Sequence, residues 1–484
     1  MKKTIAILLL FLIAFGAVSC GGKTDTPLVT GTSSAADEND TTAETEWSYD
    51  YADLDYKGKT FTVLNATTTW GFYTTMVLDE LTGEALDDAV FTRNRGIEER
   101  YNLVLTTAEY DIQTNYNNYK TAVLAGDNIY DVGYIRCDKM APFMAEGYVY
   151  NLLEIPTIAL DMEWWDQTVV KRSLIGDGRK LYFASNDFSL VGFDGTLCVY
   201  FNENIAENLG LERPYQLVHD GKWTTDIFLG MMKSGSALNS DDSFAWDEGG
   251  TCVYGLVTYQ DMLNGFLTGA GESYVSVGAD GVPSLVGDNK RFYGVFDKIY
   301  EIVSDDTFLI LNGSGNSHYE MVFKHGRSFF TVAEIKASSK YRDMDATFGI
   351  VPIPKYDEAQ EGYYSHRTHV CLTMSIPVTN PDPDSTGIIM DALAYESYTD
   401  VLPVYYDVKV SQKGLRNVES IEMLGIISKG RSFDIGEAYG WTEELSETLN
   451  TMYVKNKQHN VASTVEANRS KIESLIAATM EYMR

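Results

Sequence analysis

The chain has 484 residues, a formal net charge of −31 and five cysteines, and it is 44% hydrophobic and 12% aromatic. That length can bury a large core, and the composition excludes a largely disordered chain, a collagen-like chain and a disulfide-dense miniprotein. The 69 acidic residues against 38 basic ones argue against nucleic acid, whose phosphates are met by clustered Lys and Arg.

The first residues, Met1-Lys2-Lys3, are basic, and an uncharged run follows over residues 5–18. That run is shorter than the about 20 apolar residues of a membrane span but suits the apolar core of an export signal. Its end, Ala17-Val18-Ser19-Cys20-Gly21, resembles the bacterial lipobox, in which the Cys is acylated and becomes the first mature residue. The expectation is a signal peptide over 1–19 and lipid on Cys20 as the membrane anchor; the rival is an ordinary signal followed by a chance Cys. Losing Lys2 and Lys3 with the signal makes the mature chain two units more negative than −31. Residues 21–56 carry one lysine, Lys23, against nine acids. With so little to bury, residues 20–56 read as a lipidated Cys on a flexible acidic tether, with order beginning near Lys57.

Phe61 to Leu64 is a strand-like run. Leu86, Val90, Ile97 and Tyr101 then recur at helical spacing with charged residues between them, predicting an amphipathic helix. Leu103 to Leu105 is a second strand, Tyr119 to Leu124 a short helix stopped by Gly126, and Tyr130 to Ile135 a third strand. Strands alternating with helices imply parallel pairing in an open α/β sheet.

The middle is less regular. Trp164-Trp165 opens a helical stretch, 181–184 and 197–201 read as extended, and Thr225 is a plausible cap for the helix that follows. Residues 232–250, rich in Ser, Asp and Gly, read as a loop, and a helix runs from 288 to about 302. Strands are predicted at 329–332, 348–351 and 370–377, and helices at 387–398, 443–452 and 462–483.

Enzyme motifs fail on inspection. Lys57-Gly58-Lys59-Thr60 looks like the end of a phosphate loop, but Asp53 stands where the loop needs Gly and a strand follows instead of a helix. His366 and His369 would point to opposite faces of a strand, so no metal site is expected there. Asn380-Pro381-Asp382-Pro383-Asp384 imitates a calcium loop but lacks its Gly, and reads as a stiff turn. No catalytic residue and no cofactor is expected, although 69 acids always offer carboxylate pairs. Cys137, Cys198, Cys252 and Cys371 show no metal-like spacing; Cys198 and Cys371 sit in apolar runs and read as buried free thiols.

Several stretches in order resemble the sugar-type extracellular solute-binding proteins of ABC transporters (family 1, related to maltose-binding protein). They are Asn94 to Leu105, Tyr130-Asp131-Val132, Gly147 to Glu154, Lys180 to Ala184 with Val199 to Asn202, Gly221 to Asp226, Phe323 to Arg327 and Phe348 to Lys355. The likeness covers about residues 57–400. Ala184 stands near the family's usual Pro, and Pro214 lies farther from Trp223 than the family's does.

The resemblance implies a periplasmic-binding-protein-like α/β fold: two α/β lobes joined by crossing hinge segments, with a ligand cleft between them. It divides the chain into 57–190 and 330–370 for lobe 1, and 191–329 and 371–484 for lobe 2, with crossings near 186–197, 327–332 and 365–372. It implies a lipid-anchored, extracytoplasmic, monomeric receptor that captures a carbohydrate, as an oligosaccharide, and delivers it to membrane permease subunits. A secreted glycan hydrolase and a surface adhesin are the alternatives.

Sugars present apolar faces and many hydroxyls, so rings and planar polar groups at strand ends are the candidate contacts. Trp70 follows the first strand, and the rival is a lid on the first helix. Arg136 and Asp138 follow the third strand, where the family places polar contacts; the rival is a local salt bridge. Asn186 and Asp187 lie at the first crossing, or form a turn there. Trp246 lies in a polar loop. Glu334 follows the second crossing, or is a surface charge. His366 and Arg367 lie on the third crossing, or pack the hinge. Trp441 resembles a stacking Trp, or staples a helix start. Trp164, Trp165 and Trp223 read as core.

Overall fold

The computed structural model describes residues 49–484, apart from 177, 178, 288, 369, 411–417 and 484. Residues 1–48, with the expected signal, Cys20 and most of the tether, lie outside the described residues, as does His369. The strands in chain order begin with β1 (Lys59–Thr67), β2 (Leu103–Asp111), β3 (Val132–Arg136), β4 (Leu197–Asn202), β5 (Tyr254–Thr258), β6 (Val275–Val277) and β7 (Pro283–Leu285). They continue with β8 (Phe308–Ile310), β9 (Ser328–Glu334), β10 (Phe348–Val351), β11 (Ser365–His366), β12 (Leu372–Ser375) and β13 (Arg431–Ser432).

One sheet has the order β12-β3-β1-β2 and a second the order β10-β4-β9-β5-β8. In the first, β1 pairs parallel with β2 and β3, as strand–helix–strand alternation requires. The helix Ala85–Tyr101 buries Leu86, Val90, Ile97 and Tyr101, the residues that recur at helical spacing. It ends at Asn102, whose φ of 50° lets its N–H reach the Glu98 carbonyl. Tyr119 lies flat over β3: a Cβ on Gly133 would stand 2.7 Å from its ring, so only glycine fits there. In the second sheet β4 and β9 are buried along their whole length, Thr331 within β9 included.

Several expectations need correction. Part of the expected tether is packed: the Tyr51 hydroxyl bonds Glu396, Arg100 covers its ring at 3.6 Å, and Tyr56 reaches Asp131 at 3.2 Å. The helix cap is Thr224, whose hydroxyl accepts from the Ile227 N–H, and not Thr225. The calcium-like stretch starts a helix: Asp382 caps Pro383–Glu396 with proline in its first turn.

The paths between the sheets also differ from expectation. The segment at 186–197 does leave the edge of the first sheet, where Ala184 bridges Met374, and enters β4. The segment at 365–372 returns from the second sheet to β12. The expected crossing at 327–332 is instead β9, an inner strand of the second sheet between β4 and β5. The helix Leu402–Val410 packs on Ala85–Tyr101 and the helix Val418–Lys429 packs on β10, residues 411–417 between them lying outside the described ones. Accordingly β10, expected with the first lobe, pairs with β4, and β12, expected with the second, pairs with β3. A buried apolar strand carries no mark of the sheet it joins, which is why these assignments could not be read from pattern alone.

Candidate functional site

The strands of an open α/β sheet present their carboxyl ends to one side, where loops gather and ligands bind. Here the carboxyl end of β3 leads into Cys137-Asp138, and that of β5 into Tyr259-Gln260-Asp261. Between them lies a cleft of ≈450 Å³, lined by Asp138, Gln260, Asp261, Asn264, His366, Glu437 and Ser446, and along one wall by Glu443, Glu447, Asn450 and Lys455. That size falls in the range of about 300–1,000 Å³ typical of small-molecule sites.

Asp138 is clamped from behind by Arg136, at 2.9 and 2.6 Å, and by Lys139 at 3.1 Å. His366, on the passage from the second sheet to the first, sets its Nδ1 3.0 Å from the Thr268 hydroxyl. Its Nε2 lies 3.5 Å from Glu437 Oε2. Asn264 organises the floor: its amide N–H groups donate to Glu437 and to the Ser446 hydroxyl, while its carbonyl oxygen accepts from Tyr274. Glu437 is buried, and burial together with the neighbouring Asp434, Asp261 and Asp138 pushes its carboxyl well above the ordinary range. Asp261 is pushed up to about 6 by burial and by Glu334.

The structure brings Asp138 and His366 into the cleft, with Arg136 directly behind. Glu334 is next to it, buried at the end of β9 and felt by Asp261. The other expected contacts sit elsewhere. Trp70 is half-buried against Phe72, and its carbonyl accepts from Lys336. Asn186 accepts from the Tyr134 hydroxyl at 2.7 Å, and Asp187 is buried beside Arg431. Arg367 is buried among Asp166, Ser185 and the Leu372 carbonyl. Trp246 lies under the Arg327 guanidinium at 4.9 Å. Trp441 is buried, stacked on Tyr439, with its N–H on the Thr479 hydroxyl at 2.9 Å. Trp164, Trp165 and Trp223 are core, as expected.

Gln260, Asp261, Asn264, Glu437 and Ser446 were not anticipated. The first two carried a legible signal, polar residues directly after the strand-like run Gly255 to Tyr259. The last two lie beyond residue 400, outside the reach of the resemblance. Among the described residues no group of His, Cys, Asp and Glu could hold a metal ion, and no helix is long and apolar enough to cross a membrane. Cys198 and Cys371 are buried free thiols.

Two sheets, passages crossing between them and a cleft at the strand ends define a periplasmic-binding-protein-like α/β fold with two lobes. Among solved structures, the chain is similar to a sugar transporter from Rhizobium etli in an open conformation, with 12% identity and a TM-score of 0.58 over 86% of this chain and 99% of that one. It is similar to an ABC substrate-binding protein from Listeria monocytogenes in complex with cycloalternan, with 10% identity and a TM-score of 0.56 over 87% and 99%. A maltose/maltodextrin-binding domain from Bdellovibrio bacteriovorus bound to maltotriose gives 14% and 0.52 over 86% and 100%. At such identities the likeness establishes the fold. No family model matches the chain, and no curated protein matches its sequence.

Proposed function

We propose that this protein is the carbohydrate-binding component of an ABC importer, held outside the cytoplasmic membrane by lipid on Cys20. It captures an oligosaccharide between its lobes and delivers it to permease subunits. The observation that carries the reading is the convergence of the ends of β3 and β5 with His366 of an inter-sheet passage on one polar cleft. Asp138, His366, Gln260, Asn264 and Glu437 supply the planar hydrogen-bonding groups that sugar hydroxyls need. Arg136 fixes Asp138, and Glu334 sets the field on Asp261. Each lobe takes one sheet, and ligand bridging the cleft favours the closed arrangement. The protein acts as a monomer and leaves its ligand unchanged.

The test is a glycan panel against the purified mature chain, read by thermal shift and by product analysis. A ligand-dependent rise in melting temperature without product is expected. Turnover that disappears on replacing one cleft carboxylate would sink the reading in favour of a hydrolase, and no shift with any saccharide would sink it in favour of an adhesin. Mass spectrometry of the membrane-extracted protein should find a diacylglyceryl group on Cys20.

A further inference from the structure

The charge of the cleft is out of proportion to what a neutral sugar asks. Its walls carry Asp138, Asp261, Glu437, Glu443 and Glu447, against Lys455. The charge of Asp138 is already answered by Arg136 and Lys139. Among the described residues no arginine or lysine pairs with Glu437, whose basic neighbour is His366. One of its oxygens takes the Asn264 amide; the other, Oε2, is buried without a hydrogen bond, 3.5 Å from His366 Nε2. The side chain is only 8% exposed, and it lines the cleft.

Crowding by Asp434, Asp261 and Asp138 opposes the ionisation of Glu437, and positive charge brought into the cleft would relieve it. A sugar hydroxyl brings one donor and no charge. A protonated amine brings three donors and a full charge in the same volume. A metal ion would need ligands converging on a point, and among the described residues no such group exists. The carboxylates are instead spread from Asp261 and Glu437 on the floor to Glu443 and Glu447 on the wall. That spread suits an extended ligand with charge at intervals.

We propose that the saccharide taken by this cleft is an amino-sugar oligomer with free amines, one ammonium on the floor by Asp261 and Glu437 and further ones facing Glu443 and Glu447. The proposal rests on the carbohydrate reading above and names its substrate class.

The test is calorimetric titration of the full mature chain with four probes: glucosamine trimer, its N-acetylated counterpart, maltotriose and spermidine. The free-amine trimer should bind at least about tenfold more tightly than the acetylated one. That gap should shrink as NaCl rises from about 0.05 to about 0.5 M, because added salt screens the acidic wall. Glu437→Gln should abolish most of the preference. Glu447→Gln, at an exposed position that tolerates the change, should lower it about threefold, so the inference stays testable if the buried variant misfolds. Equal affinity for amine and acetylated trimers, or a preference untouched by Glu447→Gln in a chain where Glu437→Gln is folded and equally inert, overturns the amine assignment and leaves the carbohydrate reading standing. No binding of any probe overturns the amine assignment, and binding of spermidine with no saccharide binding overturns both.

Discussion

Lys336 and Trp70 tie the two sheets together: the Lys336 ammonium, just past the end of β9, donates to the Trp70 carbonyl beyond β1 at 2.8 Å. The same ammonium lies 4.3 Å over the Phe72 ring and 3.9 Å from Glu334. It is the polar fastener at the rim of the lobes, and Trp70 takes part through its backbone.

Replacing Lys336 with Met keeps the stem and removes the fastener. The loss of about 1 kcal/mol should weaken saccharide affinity about fivefold and raise the radius of gyration of the unliganded chain in solution scattering. Affinity and scattering both equal to the parent would show that the contact does not influence lobe closure.

Asp391 holds two indoles at once. Its Oδ1 accepts from the N–H of Trp164 at 2.9 Å and of Trp165 at 2.8 Å, all three side chains being buried. Asp391→Ala strands both donors and opens a cavity, and should cost about 3 kcal/mol, seen as a lower urea midpoint with unchanged slope. A loss below about 1 kcal/mol would mean that the indoles find other acceptors.

Asp187 gives stability a pH dependence of known sign. Burial, opposed by Arg431 and reinforced by Asp166, pushes its carboxyl up to about 7 in the folded chain. The unfolded value is about 3.9, so the group favours folding fully below that pH and loses the contribution as pH rises through 7. Asp187→Asn should therefore raise the melting temperature at pH 8 and leave it nearly unchanged at pH 4. An equal shift at both values would show that the charge of Asp187 is not responsible.

Arg367 and Asp166 are a buried pair on an inter-sheet passage, 3.5 Å apart, and the guanidinium also donates to Ser185 at 2.9 Å and to the Leu372 carbonyl at 3.0 Å. Arg367→Met alone leaves Asp166 only Arg431, at 3.8 Å, to offset its charge next to Asp187, and should cost about 3 kcal/mol. Adding Asp166→Asn, which preserves the cap on the helix Gln167–Arg172, should recover most of that loss. Additive losses in thermal unfolding would argue against a coupled pair.

The first sheet was largely legible because its signals are local. Helical spacing at Leu86, Val90 and Ile97, a left-handed stop at Gly126 and apolar runs on either side are enough to lay out β1, β2 and β3. Asp138 and His366 were reachable for related reasons, one following a strand and the other lying on a passage between sheets. Glu437 was not. It sits in a helix of four residues, Ile435–Ala438, and reaches the cleft only because β13 pairs with β11 and carries it there. Trp246 drew attention by its polar loop and Trp441 by its likeness to a stacking Trp, but Arg327 and Thr479 supply the polar partners that a ligand was expected to provide. A sequence shows that a tryptophan needs a partner without showing which residue meets the need.

The threading of β12 into the first sheet and of β10 into the second bears on how the chain is made. During synthesis the first sheet must wait with the outer side of β3 bare until Leu372 to Ser375 emerge, because those residues close it. The first sheet is therefore not a contiguous stretch that a protease or a genetic deletion could release whole. A nascent chain arrested before residue 372 therefore exposes an unpaired strand edge, the kind of surface that invites aggregation until its partner strand arrives.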